Sequence, residues 1–342
     1  MALLEVSSLT INLQTHRGRA QAVRDVSFTL ERGATLGLIG ESGCGKSLTA
    51  LALMGLLPEH AQVDGSIQLD GQELLGLSER QLCALRGNRM AMVFQEPMSA
   101  LNPVHSIGRQ VAEPLRLHLG MSRAQARARA TELLERVGIA QAAQRLDEYP
   151  HQFSGGQRQR IMIAMALACG PDLLVADEPT TALDVTVQQR ILDLLQELVA
   201  EHSMALVLIS HDLGVIAQNA EQLLVMYGGT VVESGMTEAV FARRAHPYTR
   251  GLFAARPQLH AAEGTVRLPT IAGAVPELVD LPAGCPFAGR CAHTQDECYV
   301  KRPQPLTLHQ PSMAAPASLS SWRQPHVARC LYEQVLTAGA ST

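Results

Sequence analysis

The chain has 342 residues, a formal net charge of −4, and 46% hydrophobic but only 4% aromatic residues. That length admits two domains, or one large domain with an appendage, around an aliphatic core. So modest a charge gives no reason to expect nucleic acid as a partner. No apolar run is long enough to span a bilayer, and MALLEVSSLTINL lacks the basic region, apolar core and cleavage site of a secretory signal. A cytosolic chain with reduced thiols is expected.

Alternating residues in LLEVSSLTINL and AVRDVSFTL predict an N-terminal antiparallel pair of strands. ATLGLIG reads as a buried strand running into a glycine loop, and SLTALALMGLLP as an apolar helix ending at Pro58. Further strands are expected at SIQLD, MAMVF, LLVAD, ALVLIS and LLVMYGGTVVES. Buried strands that alternate with helices argue for a mostly parallel sheet covered by helices, an α/β fold. Between Gln95 and Ser154 the strand pattern disappears. There VAEPLRLHLG and SRAQARARATELLERVG read as helical, as does SGGQRQRIMIAMALA from Ser154 onward. A helical subdomain inserted over about 96–168 is therefore expected within an α/β domain of residues 1–244. Proline-rich, weakly periodic sequence marks 245–342 as a separate C-terminal extension, with an Ala/Ser/Pro tract at 314–321.

GESGCGKS, residues 40–47, fits G-x-x-x-x-G-K-[ST] between a strand and a helix. Gly40, Gly43 and Gly45 allow the tight turns that aim backbone N–H groups inward, with Glu41, Ser42 and Cys44 completing the loop. Lys46 supplies a point charge to the β- and γ-phosphates, and Ser47 a hard oxygen for Mg²⁺. Cys44 reads as a small space-filler. LLVADEP, residues 173–179, is a central strand ending in two carboxylates. Asp177 is placed to hold Mg²⁺ and Glu178 to polarise the attacking water of a phosphoryl transfer. Alone, this acidic strand end before Pro179 would be ordinary; the phosphate loop gives it meaning.

FSGGQRQR, residues 153–160, offers a second anion site: Ser154 can cap a helix whose N-terminus Gly155 and Gly156 leave uncovered. Two such sites far apart in sequence suggest a head-to-tail dimer that shares each nucleotide.

At this point the sequence resembles an ATP-binding subunit of an ABC transporter. The six motifs of that family stand in order: GESGCGKS, FQEP with Gln95, FSGGQ, LLVADEP, TALD with Asp184, and SHDL with His211. The resemblance implies MgATP as cofactor and gives each residue a role. Gln95 reaches Mg²⁺ or the lytic water, and His211 touches the γ-phosphate. Asp184 works across the dimer interface, and Ser154, Gly155, Gly156 and Gln157 close on the partner's nucleotide. Phe153 replaces the commoner leucine. For the aromatic that often stacks on adenine, QTHRGRAQAV offers only His16.

SALNPVHSIGRQVAEPL, EYPHQFSGGQ, ADEPTTALDVTVQ and AHPYTRGL narrow the likeness to the subfamily serving dipeptide and oligopeptide uptake, with nickel and glutathione relatives. This implies a second, related ATPase chain, two transmembrane permease subunits, an extracytoplasmic peptide-binding protein, and residence on the cytoplasmic face of the inner membrane. A soluble ABC-type ATPase acting on ribosomes or DNA is the main alternative, but the 58 residues between Gln95 and Ser154 leave little room for a long helical arm. Cys285, Cys291, Cys298 and Cys330 are separated by five, six and thirty-one residues, without the tight pair usual for zinc. The resemblance implies a four-iron, four-sulfur cluster on these thiols; zinc and unliganded packing thiols are the alternatives.

Overall fold

A computed structural model describes residues 2–96, 100–180, 185–255, 270–308 and 325–337. The N-terminal hairpin forms as the alternation predicts. β1 (Ala2–Thr15) and β2 (Gly18–Glu31) pair antiparallel, and β4 (Gln62–Leu69) and β5 (Gln72–Glu73) extend them into a sheet of order β2-β1-β4-β5. Leu4, Val6, Leu9 and Ile11 of β1 are buried.

The central sheet contains β3 (Thr35–Ile39), β6 (Met90–Val93), β7 (Leu173–Asp177), β8 (Ala205–Ile209), β9 (Gln222–Tyr227) and β10 (Thr230–Met236). Two short strands, β11 (Pro305–Thr307) and β12 (Val327–Arg329), complete the order β11-β12-β10-β9-β3-β8-β7-β6. From β9 to β6 all neighbours run parallel. Every residue of β3, β6, β7, β8 and β9 is buried, as strands covered on both faces must be. LLVMYGGTVVES is not one strand but the β9–β10 hairpin. Gly228 and Gly229 have φ of 53° and 77°, the pair of positive values a two-residue turn requires.

Helix α1 (Lys46–Leu53) stops five residues before Pro58. Gly55 turns left-handed at φ 63° and the Leu56 amide donates back to the Leu51 carbonyl at 2.8 Å, so a glycine terminator ends the helix before proline can. A second helix, α2 (Glu79–Leu85), precedes β6.

Between β6 and β7 the described chain holds α3 (Ile107–His118), α4 (Arg123–Arg136), α5 (Ala142–Arg145), a 3₁₀ turn (Pro150–Gln152) and α6 (Gly155–Ala166). Their apolar faces, including Val111, Leu134 and Ile161, form one core with Val93 and Leu174 of the sheet. Then follow α7 (Val185–His202), α8 (Leu213–Asn219), α9 (Thr237–Arg243) and α10 (Pro247–Ala254). The remaining described elements are a 3₁₀ turn (Leu278–Asp280), α11 (Asp296–Val300) and α12 (Glu333–Thr337). Through β12, which pairs Ala328 with Glu233 of β10, this region adds strands to the central sheet. No described helix is long and apolar enough to cross a membrane.

Candidate functional site: a phosphate loop and a carboxylate-centred cluster

The glycine loop leaves the end of β3 and enters α1. Gly40 and Gly45 are glycines for two reasons. Their φ values are 152° and 102°, and an added Cβ would stand 2.2 Å from the Met226 carbonyl oxygen at Gly40 and 2.9 Å from that of Ala22 at Gly45. Gly43, at φ 79°, has open space around it. The Lys46 ammonium is buried and donates to the carbonyls of Gly40 at 2.7 Å and Glu41 at 3.1 Å. Cys44 is buried beneath the loop, where burial pushes its thiol up against the opposing effect of Lys46; it fills space as a neutral thiol.

β7 lies two places from β3 in the sheet, with β8 between. At its end Asp177 is 5% exposed, and its Oδ1 has no hydrogen-bond partner among the described residues. Burial pushes this carboxyl up; the Ser47 hydroxyl, bonded to it, and Lys46 oppose the rise, whereas Glu178 adds to it. A buried, unsatisfied hard oxygen beside a hydroxyl has the donor chemistry that Mg²⁺ requires.

Glu178 gathers the rest. Its backbone is left-handed at φ 47°, and its amide donates to the Ile209 carbonyl at 3.0 Å. Its carboxylate Oε2 accepts from Gln95 Nε2 at 3.0 Å and lies 3.4 Å from His211 Nδ1. Gln95 follows β6 and His211 follows β8, so three strand ends bring these residues together at the carboxyl edge of the parallel sheet.

Other residues singled out in the sequence stand apart. Ser154 is the N-cap of α6: its Oγ accepts from the Gln157 amide at 3.3 Å, and Gln157 Oε1 accepts from the Ser154 amide at 3.0 Å. Ser154 and Gly155 are exposed, Gly156 partly so. Phe153 is buried with the Arg145 guanidinium 4.1 Å from its ring centre. His16 is exposed at the β1–β2 turn, beside Arg17, which pairs with Glu277 and Asp280. Asp184 lies outside the described residues.

Cys285, Cys291, Cys298 and Cys330 line one cavity of about 20 Å³ together with His246, Phe287 and Tyr332. The Cys285 amide donates to the Cys298 carbonyl at 2.8 Å, which fixes two of the four positions. Burial, followed by the neighbouring Cys298, Cys330 and Cys291, pushes the Cys285 thiol up to about 12. Among the described residues no three His, Cys, Asp or Glu side chains are arranged to hold a single metal ion. The cluster expected on these four thiols therefore finds no support in their placement.

Sequence reasoning missed the contacts on Glu41. Its amide donates to Tyr248 Oη at 2.7 Å, and its carboxylate pairs with Arg290 at 2.7 and 3.2 Å. Arg290 is 249 residues away, and no local signal announces the pairing.

A buried lysine within a glycine nest, next to an unsatisfied aspartate and a glutamate held by Gln and His, defines a P-loop nucleoside triphosphatase. Comparison with known proteins places it further. Residues 23–181 match the ABC transporter family model, and residues 232–298 match that of the oligopeptide/dipeptide transporter C-terminal region. The oligopeptide transport ATP-binding protein OppD of Salmonella typhimurium is 50% identical over 296 residues, covering 86% of this chain and 88% of that protein. OppD of Haemophilus influenzae is 48% identical over 298 residues, 87% of this chain and 92% of its own. Among solved structures, a dimeric ATP-binding cassette in a post-hydrolysis state with ADP and Pi superposes with a TM-score of 0.62 at 27% identity, covering 68% of this chain and 98% of that one. CbiO1 from Clostridium perfringens, part of an ABC transporter complex, gives 0.59 at 27% identity, covering 71% and 92%. The chain therefore belongs to the ABC transporter ATP-binding family, in the branch that carries the oligopeptide/dipeptide C-terminal region.

Proposed function

We propose that this chain is the ATP-hydrolysing subunit that powers import of peptides through an ABC transporter. The observation that carries the reading is the grouping of Gln95, His211 and Glu178 at the sheet edge where Asp177, Ser47 and Lys46 also meet. The names of the relatives and the match of the C-terminal region favour peptides as cargo.

In this mechanism the amides of the loop from Gly40 to Ser47, other than that of Glu41, cradle the phosphates, and Lys46 exchanges its loop carbonyls for phosphate oxygens. Ser47 and Asp177 would hold Mg²⁺, which would supply positive charge against the phosphates. Glu178 orients and polarises the attacking water. Gln95 fixes one oxygen of that carboxylate and would reach Mg²⁺ or the lytic water, while His211 stands ready for the γ-phosphate. Ser154, Gly155, Gly156 and Gln157 at the head of α6 close on the nucleotide of a second ATPase chain, with Asp184 across the same interface. His16 is the ring nearest in sequence to an adenine-stacking position. Closure on ATP and opening after hydrolysis drive two permease subunits, to which an extracytoplasmic binding protein delivers peptide. The chain would then lie peripherally on the cytoplasmic face of the inner membrane.

The working division is an ATPase domain at 1–244, with its helical subdomain at about 96–168, and an extension at 245–342. Cys285, Cys291, Cys298 and Cys330 would hold an iron–sulfur cluster as a staple for a region with few core residues; what supports this reading is that all four line one small cavity.

The test is turnover with the permease partners in proteoliposomes. Glu178→Gln should lower phosphate release about 10²–10⁴-fold, the usual worth of a positioned general base, and abolish peptide uptake. Equal rates for variant and wild type would defeat the mechanism.

A further inference from the structure

The extension reaches the phosphate loop. The loop between Cys285 and Cys291 presents two side chains towards the ATPase core. Phe287, 3% exposed, packs its ring edge-on at 5.1 Å from Tyr227 and at 5.4 Å from Tyr248. Arg290, whose side chain is 6% exposed, makes a two-pronged pair with Glu41: one terminal nitrogen donates to Oε2 at 2.7 Å, the other to Oε1 at 3.2 Å. Its remaining donors are fixed as well. Tyr227 Oη accepts at 3.1 Å, the Ala272 carbonyl at 2.9 Å and the Gly273 carbonyl at 3.3 Å. A guanidinium held on five acceptors cannot be replaced by a mobile surface lysine.

Glu41 is an odd residue for its place. It is the second residue of a loop whose task is to receive a polyanion, and its carboxylate brings a negative charge there. Tyr248 takes its amide, so Glu41 gives no N–H to the phosphate nest. Among the described residues, Arg290 is the cation that pairs with this carboxylate.

We propose that Arg290 is a positioning residue for nucleotide binding: it cancels and holds the charge of Glu41, so that the cysteine-rich extension sets the affinity of the phosphate loop. This rests on the loop being the nucleotide site. The contact is made within one chain, so the extension acts on its own phosphate loop. The same short loop carries Arg290 and two of the thiols, Cys285 and Cys291, so its conformation links the thiol cavity to the nucleotide.

The test uses the full-length chain and MgADP as probe, by calorimetry, alongside ATPase kinetics. Arg290→Gln should weaken MgADP binding about tenfold, the lower range for truncating one partner of a charge-assisted pair. It should raise KM for ATP by a similar factor and leave kcat within about twofold, because the hydrolytic residues are not touched. Arg290→Lys, which keeps the charge and loses the fork, should fall between. The double variant Arg290→Gln/Glu41→Gln should regain most of the lost affinity, since the uncompensated charge is gone; a merely structural role predicts that the two losses add. Arg290→Gln binding within about twofold of wild type, or a double variant as weak as Arg290→Gln, would overturn the proposal. If Arg290→Gln does not fold, as judged by its melting curve, Glu41→Gln alone decides. Affinity equal to or above wild type supports the proposal, and a loss beyond about threefold overturns it. Wild type that binds no MgADP would refute the nucleotide site itself, a different failure.

Discussion

Glu233 is 1% exposed in β10 and ties three segments together. Its Oε1 accepts from the Ala245 amide and the His326 Nε2, each at 2.8 Å, and its Oε2 from the His246 amide at 2.8 Å. Burial pushes this carboxyl up, but His326, the Thr249 hydroxyl and the two amides outweigh that and hold it below the ordinary value of 4.5. Consider Glu233→Gln. The amide nitrogen must replace one oxygen. In its less harmful orientation it sits at Oε2, meets the His246 N–H donor to donor, and leaves that amide unsatisfied. One hydrogen bond to a charged acceptor is worth about 1.5–3 kcal/mol. The two bonds that survive lose their charge assistance. The expected total is about 3 kcal/mol, the region where broken buried polar pairs fall. A depressed carboxyl pKa contributes stability above the unfolded value and loses it as pH falls through the folded value. The wild type should therefore lose this stability as pH drops below about 4.5, and the variant should lack that component. Urea midpoints of both proteins between neutral and acid pH measure this. A variant within about 0.5 kcal/mol of wild type at neutral pH, or one with the same acid dependence, would refute the assignment.

Three further outcomes follow from the site. Gly40→Ala should abolish nucleotide binding, since its Cβ meets the Met226 carbonyl at 2.2 Å, whereas Gly43→Ala, with open space, should cost only about 1–2 kcal/mol of left-handed strain; calorimetry with MgADP separates them. Ser154→Ala removes the cap of α6 and should lower stability by about 1 kcal/mol, while ATP-driven association, followed by analytical ultracentrifugation, should fall much further. Cys285→Ser should strip iron and sulfide from protein purified without oxygen, as read by colorimetric assay; a wild type that carries zinc alone would remove the cluster from consideration.

How much of this was legible in the residues depends on how local each feature is. β3, β7 and β8 announce themselves because both faces are covered and every position is apolar or at a strand end. The phosphate loop is contiguous, so its chemistry can be read directly from GESGCGKS. The approach of Gln95 and His211 to Glu178 spans three strand ends; family likeness suggested it, and periodicity could not have. β11 and β12 have three residues each, too few for any alternation to register, and Pro305 would argue against a strand except at an edge, where it stands. The end of α1 was misplaced because Pro58 is the louder breaker and Gly55 acts first. The Arg290–Glu41 pair is a tertiary fact with no trace in local sequence.

The pairing of Ala328 with Glu233 has a consequence for synthesis on the ribosome. The partner of β10 emerges about ninety residues after it, when the rest of the central sheet has already been made. For that interval the nascent chain displays an unprotected strand border, a template for wrong partners. Closure of so long a loop is a late and slow event. A ribosome paused before residue 325 would thus hold an ATPase core complete in its phosphate loop yet still sticky along one side, and chaperone capture should concentrate in that window.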